Sequence, residues 1–226
     1  MVKNLKENIE GEIICITFIL LVFILAIPFY KIKPEYSRKE IHIMLGNFYF
    51  IALLYFTEWY FAFLGPFIFI FINYFSVKYK IIKLMLRHET EKDNITIKKD
   101  YGTVYYAISL TIITIYSWKI KKPNIGLCPF LSMSFGDGLA CLVGRAIKSP
   151  FKIIFGSKKS LAGSGTMFII NFVIFTIYFW YYNIRFLLFK GCLMGMCSMI
   201  LEAFSPFGTD NLTVPLGNLF IVSFLM

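Results

Sequence analysis

Apolar runs of 15 to 24 residues, separated by short polar clusters, recur along the whole chain. They cover residues 13–30, 41–56, 59–79, 103–118, 124–147, 161–182, 186–204 and 212–226. About 20 apolar residues in a helix cross the roughly 30 Å hydrocarbon layer of a bilayer. The pattern therefore predicts an all-α, polytopic transmembrane helical bundle of about seven to eight spans with no soluble domain. The last run is short and holds Pro215 and Gly217, so it either spans or re-enters. Residues 1–10 are polar, 80–100 form the longest polar loop, and 145–159 form a basic turn. Nothing along the chain divides it, and residues 1–226 read as one integral membrane domain, with 1–37 as lead-in and first span.

Composition sharpens this picture. Hydrophobic residues make up 58% of the chain and aromatics 19%, with 26 Phe, and the mean hydropathy of +0.70 excludes a soluble domain of this size. A net charge of +10 would ordinarily raise nucleic acid as a partner. In a membrane protein it is better read as the cation bias of cytoplasmic loops, which also meets anionic membrane lipids. Four cations at 31–39, seven at 78–99 and five at 145–159 fall on one side of the eight-span topology, and the remaining seven on the other. The richer side is assigned to the cytoplasm. The five cysteines all lie in apolar runs without a CxxC, the pattern of small buried hydrophobes.

The candidate chemistry centres on Asp137, an acid between Gly136 and Gly138 inside an apolar run. Such an acid costs roughly 2.5–3.5 kcal/mol at the centre of an inserting helix, and marks a functional site with a partner. Mg²⁺ suits it, being held by one or two carboxylates together with phosphate oxygens. Glu202, near the end of the seventh run, reads as a second metal ligand, a base for a substrate hydroxyl, or an acid reaching interfacial water. Arg38, Lys39 and His42 form RKxxH, whose spacing of four sets Arg38 and His42 on one helix face; Arg makes bidentate phosphate contacts. Arg145, Lys158, Lys159 and Ser160, with Gly163 just after, combine cations, a hydroxyl and accessible amides ahead of a helix, a setting for anions. Asp210 and Asn211 either cap the last helix or contact a base or ribose. In the predicted topology these groups, distant in sequence, fall on the cytoplasmic face.

Phe135-Gly136-Asp137-Gly138-Leu139-Ala140 through Val143-Gly144-Arg145, followed by Lys159-Ser160-Leu161-Ala162-Gly163-Ser164, resembles the CTP-dependent polyprenol kinase family, which includes dolichol kinase, phytol kinase and CTP-using diacylglycerol kinase. Arg38-Lys39 with His42 looks like the family's early element, and Glu202 with Asp210-Asn211-Leu212-Thr213-Val214-Pro215 is similar to its C-terminal one, so the likeness extends over residues 38–216. It implies an integral membrane enzyme that transfers the γ-phosphoryl group of CTP to a lipid alcohol with Mg²⁺ as cofactor, and roles for Arg38, Lys39, Asp137 and Gly144. Relatives often carry a glycine-containing turn after Gly144-Arg145, where this chain has Ala146-Ile147-Lys148-Ser149-Pro150.

On this reading Asp137 holds Mg²⁺. Arg38, Lys39, Arg145, Lys158 and Lys159 bind phosphate, Gly136, Gly138 and Gly163 permit close backbone approach, and Glu202 orients or deprotonates the alcohol. The lipid tail enters between helices. Two alternatives stay open: a CTP-dependent cytidylyltransferase making a CDP-activated lipid, and a non-enzymatic membrane transporter. The Lys-Asp and His-Gly-Gly signature of the cytidylyltransferases is missing from the stretch at Asp210–Leu216, and acids gathered on one face argue against a transport route.

Overall fold

A computed structural model of the protein describes residues 2–32, 34–85, 101–147, 149, 151–154 and 157–226. Helix α1 (Val2–Ile32) is followed by α2 (Pro34–Leu45), α3 (Phe48–Tyr55), α4 (Trp59–Ala62) and α5 (Leu64–Tyr79). Then come α6 (Gly102–Lys119), α7 (Leu127–Leu131), α8 (Gly138–Ala146), α9 (Leu161–Tyr181), α10 (Leu187–Ala203) and α11 (Asp210–Leu225). The predicted all-α bundle is what forms. One addition is a short antiparallel hairpin, β1 (Phe151–Ile154) and β2 (Ser157–Ser160), which carries the basic turn with Lys152 opposite Lys159.

Among the described residues, four stretches are long and apolar enough to cross a membrane outright: Leu5–Ile32, Trp59–Tyr79, Pro123–Ala146 and Leu161–Tyr181. The other predicted spans have physical reasons to fall short. The second run is cut by a turn at Gly46-Asn47, the α6 run carries many hydroxyls, and α10 and α11 have 17 and 16 residues. Most of the long polar loop, residues 86–100, lies outside the described residues.

The spanning stretches occupy very different places. Only 17% of the α1 window is buried, with Ile13, Ile16, Leu20 and Ile24 facing outward as lipid-facing side chains do. The Pro123–Ala146 passage is 67% buried and runs through the middle of the bundle. It is also the least regular. It opens with a 3₁₀ turn at Pro123–Gly126, continues through α7 with Pro129 inside, and becomes a π-helical turn at Ser132–Asp137 before α8. Proline removes a helical donor and crowds the preceding turn, and glycines at 136 and 138 weaken the α-helical preference further. π turns of this kind concentrate at functional sites.

Buried polar contacts hold the irregular passage in place. Tyr106 of α6 hydrogen-bonds with Ser134 Oγ at 3.0 Å and donates to the His42 carbonyl at 3.2 Å. Asn218 of α11 donates to Ser132 Oγ at 2.7 Å and pairs with Ser198 of α10. Each buried polar atom in a low-dielectric interior is costly unless matched, so these contacts fix the rotation of the π turn and with it the direction of Asp137. The Gly191-xxx-Gly195 pair packs α10 onto α9, where a Cβ on Gly195 would stand 2.9 Å from the Phe168 carbonyl oxygen.

Candidate active site

Five segments bring charged groups together at one end of the bundle. Lys39 lies in the second turn of α2, Asp137 closes the π turn, Lys159 lies at the end of β2, Glu202 is in the last turn of α10, and Asp210 opens α11. Lys39 donates to Asp137 Oδ2 at 2.7 Å, and both side chains are buried. His42, one turn on from Arg38, places Nε2 3.4 Å from the same oxygen and 3.2 Å from the Met133 carbonyl. The second lysine, Lys159, bonds to Glu202 Oε1 and stands 3.5 Å from Asp210 Oδ2. The carboxylates of Asp137, Glu202 and Asp210 offer oxygens within 4.8 Å of one another.

Three carboxylates face two lysine ammonium groups in this largely buried cluster, and two of its oxygens lack a partner. Glu202 Oε2 and Asn211 Oδ1 are buried without a hydrogen-bond partner among the described residues. Burial alone pulls the Lys159 ammonium down, but Asp210 and Glu202 outweigh it and hold its pKa above the ordinary lysine range. A group raised in the folded state contributes stability that is present below its unfolded value, about 10.4 for lysine, and lost only as pH climbs through the higher folded value. The Lys159 ammonium therefore stays charged throughout the neutral range.

A cleft of about 410 Å³ adjoins the cluster, with Arg38, Lys39, His42, Thr103, Tyr106 and Asn211 among its walls. Arg38 faces it from α2, and Gly102-Thr103 from the start of α6. Arg145, in the last turn of α8, is exposed. Ser160 caps α9, its Oγ accepting from the Gly163 amide at 3.1 Å. The side chain of Lys158 lies outside the described residues. The site glycines all have close protein neighbours. A Cβ on Gly138 would stand 2.3 Å from Ile43 Cγ1 of α2, one on Gly136 2.6 Å from Asn171 Nδ2 of α9, and one on Gly144 2.6 Å from Ser160 Oγ with Gly163 just beyond. The close approach these glycines permit here is that of neighbouring helices.

Thr103, with Tyr101 and Gly102 at the start of α6, is expected from the sequence to line the cleft, and it does. Tyr106 is an ordinary member of an apolar run, and only the fold sets it in the cleft wall. Asp210 and Asn211 matched a capping pattern, yet the residue that precedes α11 is Thr209. Asp210 Oδ1 accepts from the Asn211 amide at 3.0 Å, while its Oδ2 faces Lys159.

The donor set fits a divalent metal. Three carboxylates with an unmatched oxygen suit a hard cation, and oxygens on opposite sides of Mg²⁺ are about 4.2 Å apart, close to the 4.8 Å within which these three lie.

No family model and no solved structure matches the chain. Curated proteins do. A phytol kinase from Synechocystis is 35% identical over 127 residues, 55% of this chain and 54% of the relative. A probable chloroplastic phytol kinase 3 from Glycine max is 30% identical over 208 residues, 84% of this chain and 63% of the relative. A chloroplastic farnesol kinase from Arabidopsis thaliana is 28% identical over 145 residues, 60% of this chain and 44% of the relative. The chain spans less than two thirds of the length of each of these proteins. The chain is thus a helical protein with apolar stretches long enough to cross a membrane that is similar to curated proteins named phytol kinase and farnesol kinase.

Proposed function

We propose that the protein is an integral membrane lipid-alcohol kinase that transfers the γ-phosphoryl group of CTP to the hydroxyl of a lipid alcohol at the cytoplasmic face. The observation that carries this reading is the convergence of three carboxylates and two lysines from five segments beside a cleft that Arg38 lines. Phosphoryl transfer asks for positioning and charge neutralisation more than for covalent chemistry, and such a cluster supplies both. The relatives named phytol kinase and farnesol kinase support an isoprenoid alcohol as acceptor.

In the mechanism, Arg38 and Lys39 bind the polyphosphate from α2, and Lys159 binds it from β2. Asp137, with Glu202 and Asp210, would hold Mg²⁺, which neutralises phosphate charge and orients the β and γ groups when bound. Lys39 and His42 fix the direction of Asp137. The alcohol oxygen forms a bond to the γ-phosphorus as the bond from that phosphorus to the bridging oxygen breaks, and CDP departs. Glu202 Oε2, buried and unmatched, takes the hydroxyl proton. Backbone amides at the start of α9, where Ser160 caps the helix, favour the developing anionic charge.

The test is incubation of the purified protein with γ-labelled CTP or ATP, Mg²⁺ and a panel of lipid alcohols that includes phytol, farnesol, undecaprenol, dolichol and diacylglycerol. Label in the lipid with release of CDP is the expected outcome. Release of pyrophosphate would make the protein a cytidylyltransferase instead, and the absence of turnover with every donor and acceptor would remove the kinase reading.

A further inference from the structure

A second groove, of about 300 Å³, lies between α1, α3, α5 and α6 and is walled by Ile19, Phe48, Gly65, Pro66 and Leu110. It shares three further residues, Leu45, Phe69 and Tyr106, with the charged cleft. The two spaces therefore meet at these side chains. One end of the combined space presents Arg38, Lys39, His42 and Asn211, and the other presents hydrocarbon alone.

The character of the outer groove limits what it can hold. Among the described residues its sole polar side-chain atom is the Tyr106 hydroxyl, and that is already engaged with the His42 carbonyl and Ser134 Oγ. A polar headgroup placed there would find no partner, at a cost of several kcal/mol in an apolar setting. A hydrocarbon chain meets no such cost. The outer walls belong to α1 and α5, whose flanking residues Leu20, Phe67 and Ile68 are exposed to the outside, so a chain can enter from the lipid. Gly65 leaves the wall of α5 without a side chain, and a Cβ built there meets nothing nearer than the Phe48 ring at 3.9 Å.

We propose that the groove between α1, α3, α5 and α6 is the binding site for the hydrocarbon tail of the alcohol substrate, with Leu45, Phe69 and Tyr106 as the threshold over which its hydroxyl reaches the charged cleft. This rests on the kinase reading above. A tail that turns at Tyr106 places the polar end beside Lys39 and His42, next to the carboxylate cluster. An apolar groove that meets a charged cleft matches, in chemistry, one chain with one small polar head, as an isoprenoid alcohol has.

Two measurements test this separately from the reaction. The first uses a four-isoprene alcohol bearing a diazirine at its tail, irradiated with the wild-type protein in detergent and mapped by mass spectrometry. Label on Ile19, Phe48 or Leu110 supports the assignment, and label confined to other faces of the bundle overturns it, whether or not the protein phosphorylates anything. The second compares turnover of a four-isoprene and a one-isoprene alcohol in wild type and in Gly65→Leu. The space around Gly65 accepts the new side chain, and helical circular dichroism checks the fold. The ratio of long-chain to short-chain kcat/KM falls at least about tenfold, the equivalent of roughly two lost methylene contacts. An unchanged ratio overturns the proposal. Turnover of neither alcohol by the wild type would remove the kinase reading alone, and the labelling pattern would still decide the groove. Phospholipid that stays bound in native mass spectra and is not displaced by the four-isoprene alcohol would overturn it as well.

Discussion

Lys39 and Lys159 hold carboxylates at the same end of the bundle, yet Lys39 faces Asp137 alone with His42 beside it, while Lys159 faces both Glu202 and Asp210. The first pair is balanced and buried on both sides. The second has more acid than cation, and Glu202 Oε2 is left without a partner among the described residues. Buried ion pairs add little net stability, but removing one member leaves an uncompensated charge that costs about 3–5 kcal/mol. The balanced pair is thus a point at which the fold itself depends on charge. The unbalanced group is where the proposed metal would find its charge matched. On that proposal the two divide the site into a part that sets Asp137 in position and a part that would receive a cation-bearing substrate.

The largest effect is expected from breaking the balanced pair. Asp137→Asn lowers phosphoryl transfer by at least about 10²–10³, the usual consequence of removing a preorganised electrostatic group. It also destabilises the protein by about 3–5 kcal/mol, because Lys39 stays buried and charged. Initial rates and thermal unfolding of the purified protein measure the two separately. The double variant Asp137→Leu with Lys39→Met removes both charges, so it regains most of the unfolding midpoint but none of the rate. Retention of most activity by Asp137→Asn would remove its metal role.

Glu202→Gln probes the unbalanced side and separates the two quantities. The rate drops about 10²-fold, within the range for loss of a general base. The unfolding midpoint is unchanged or raised, because Lys159 still has Asp210 and the excess negative charge is gone. A midpoint loss as large as that of Asp137→Asn would show the two lysine groups to be equivalent and end the distinction.

Much of this was legible in the chain, for reasons that differ by feature. The run at 161–182 became α9, Leu161–Tyr181, because a bilayer imposes a length that hydropathy reads directly. The turn at Gly46-Asn47 and the π turn at Ser132–Asp137 were not legible, since both sit inside apolar runs and owe their form to contacts from other helices. Asp137 stood out because an acid in an apolar run is costly. Its partner Lys39, 98 residues away, stood in the RKxxH cluster, but no local pattern joined it to Asp137. The pairing of Lys159 with Glu202 and Asp210 depends on how α9, α10 and α11 pack, which no local pattern encodes.

Metal addition gives a smaller and more direct reading of the unbalanced group. Mg²⁺ at 100 times its Kd stabilises a protein that binds it only when folded by about 2.7 kcal/mol. Wild type should gain in unfolding midpoint with Mg²⁺ and lose turnover when EDTA withdraws it. Asp137→Asn should show a much reduced gain. An equal shift in both proteins would move the metal away from Asp137.

The smallest effect belongs to Asn211, at the edge of the same group. Its Oδ1 is buried without a partner among the described residues, while its Nδ2 makes two long contacts of 3.3 Å, to the Gly208 carbonyl and Asp210 Oδ1. An unsatisfied buried oxygen costs about 1–3 kcal/mol, and a neutral hydrogen bond is worth about 0.5–1.5 kcal/mol net. Asn211→Leu removes the first cost and the two weak bonds together, so stability changes little. If Oδ1 accepts a hydrogen bond from a bound substrate in the cleft, the loss of one such bond raises KM for that substrate about five- to tenfold and leaves kcat nearly unchanged. Measuring KM for the nucleotide and for the alcohol in turn identifies which of them Asn211 touches. If both values equal those of wild type, the residue serves only the first turn of α11, and the boundary of the unbalanced group stops at Asp210.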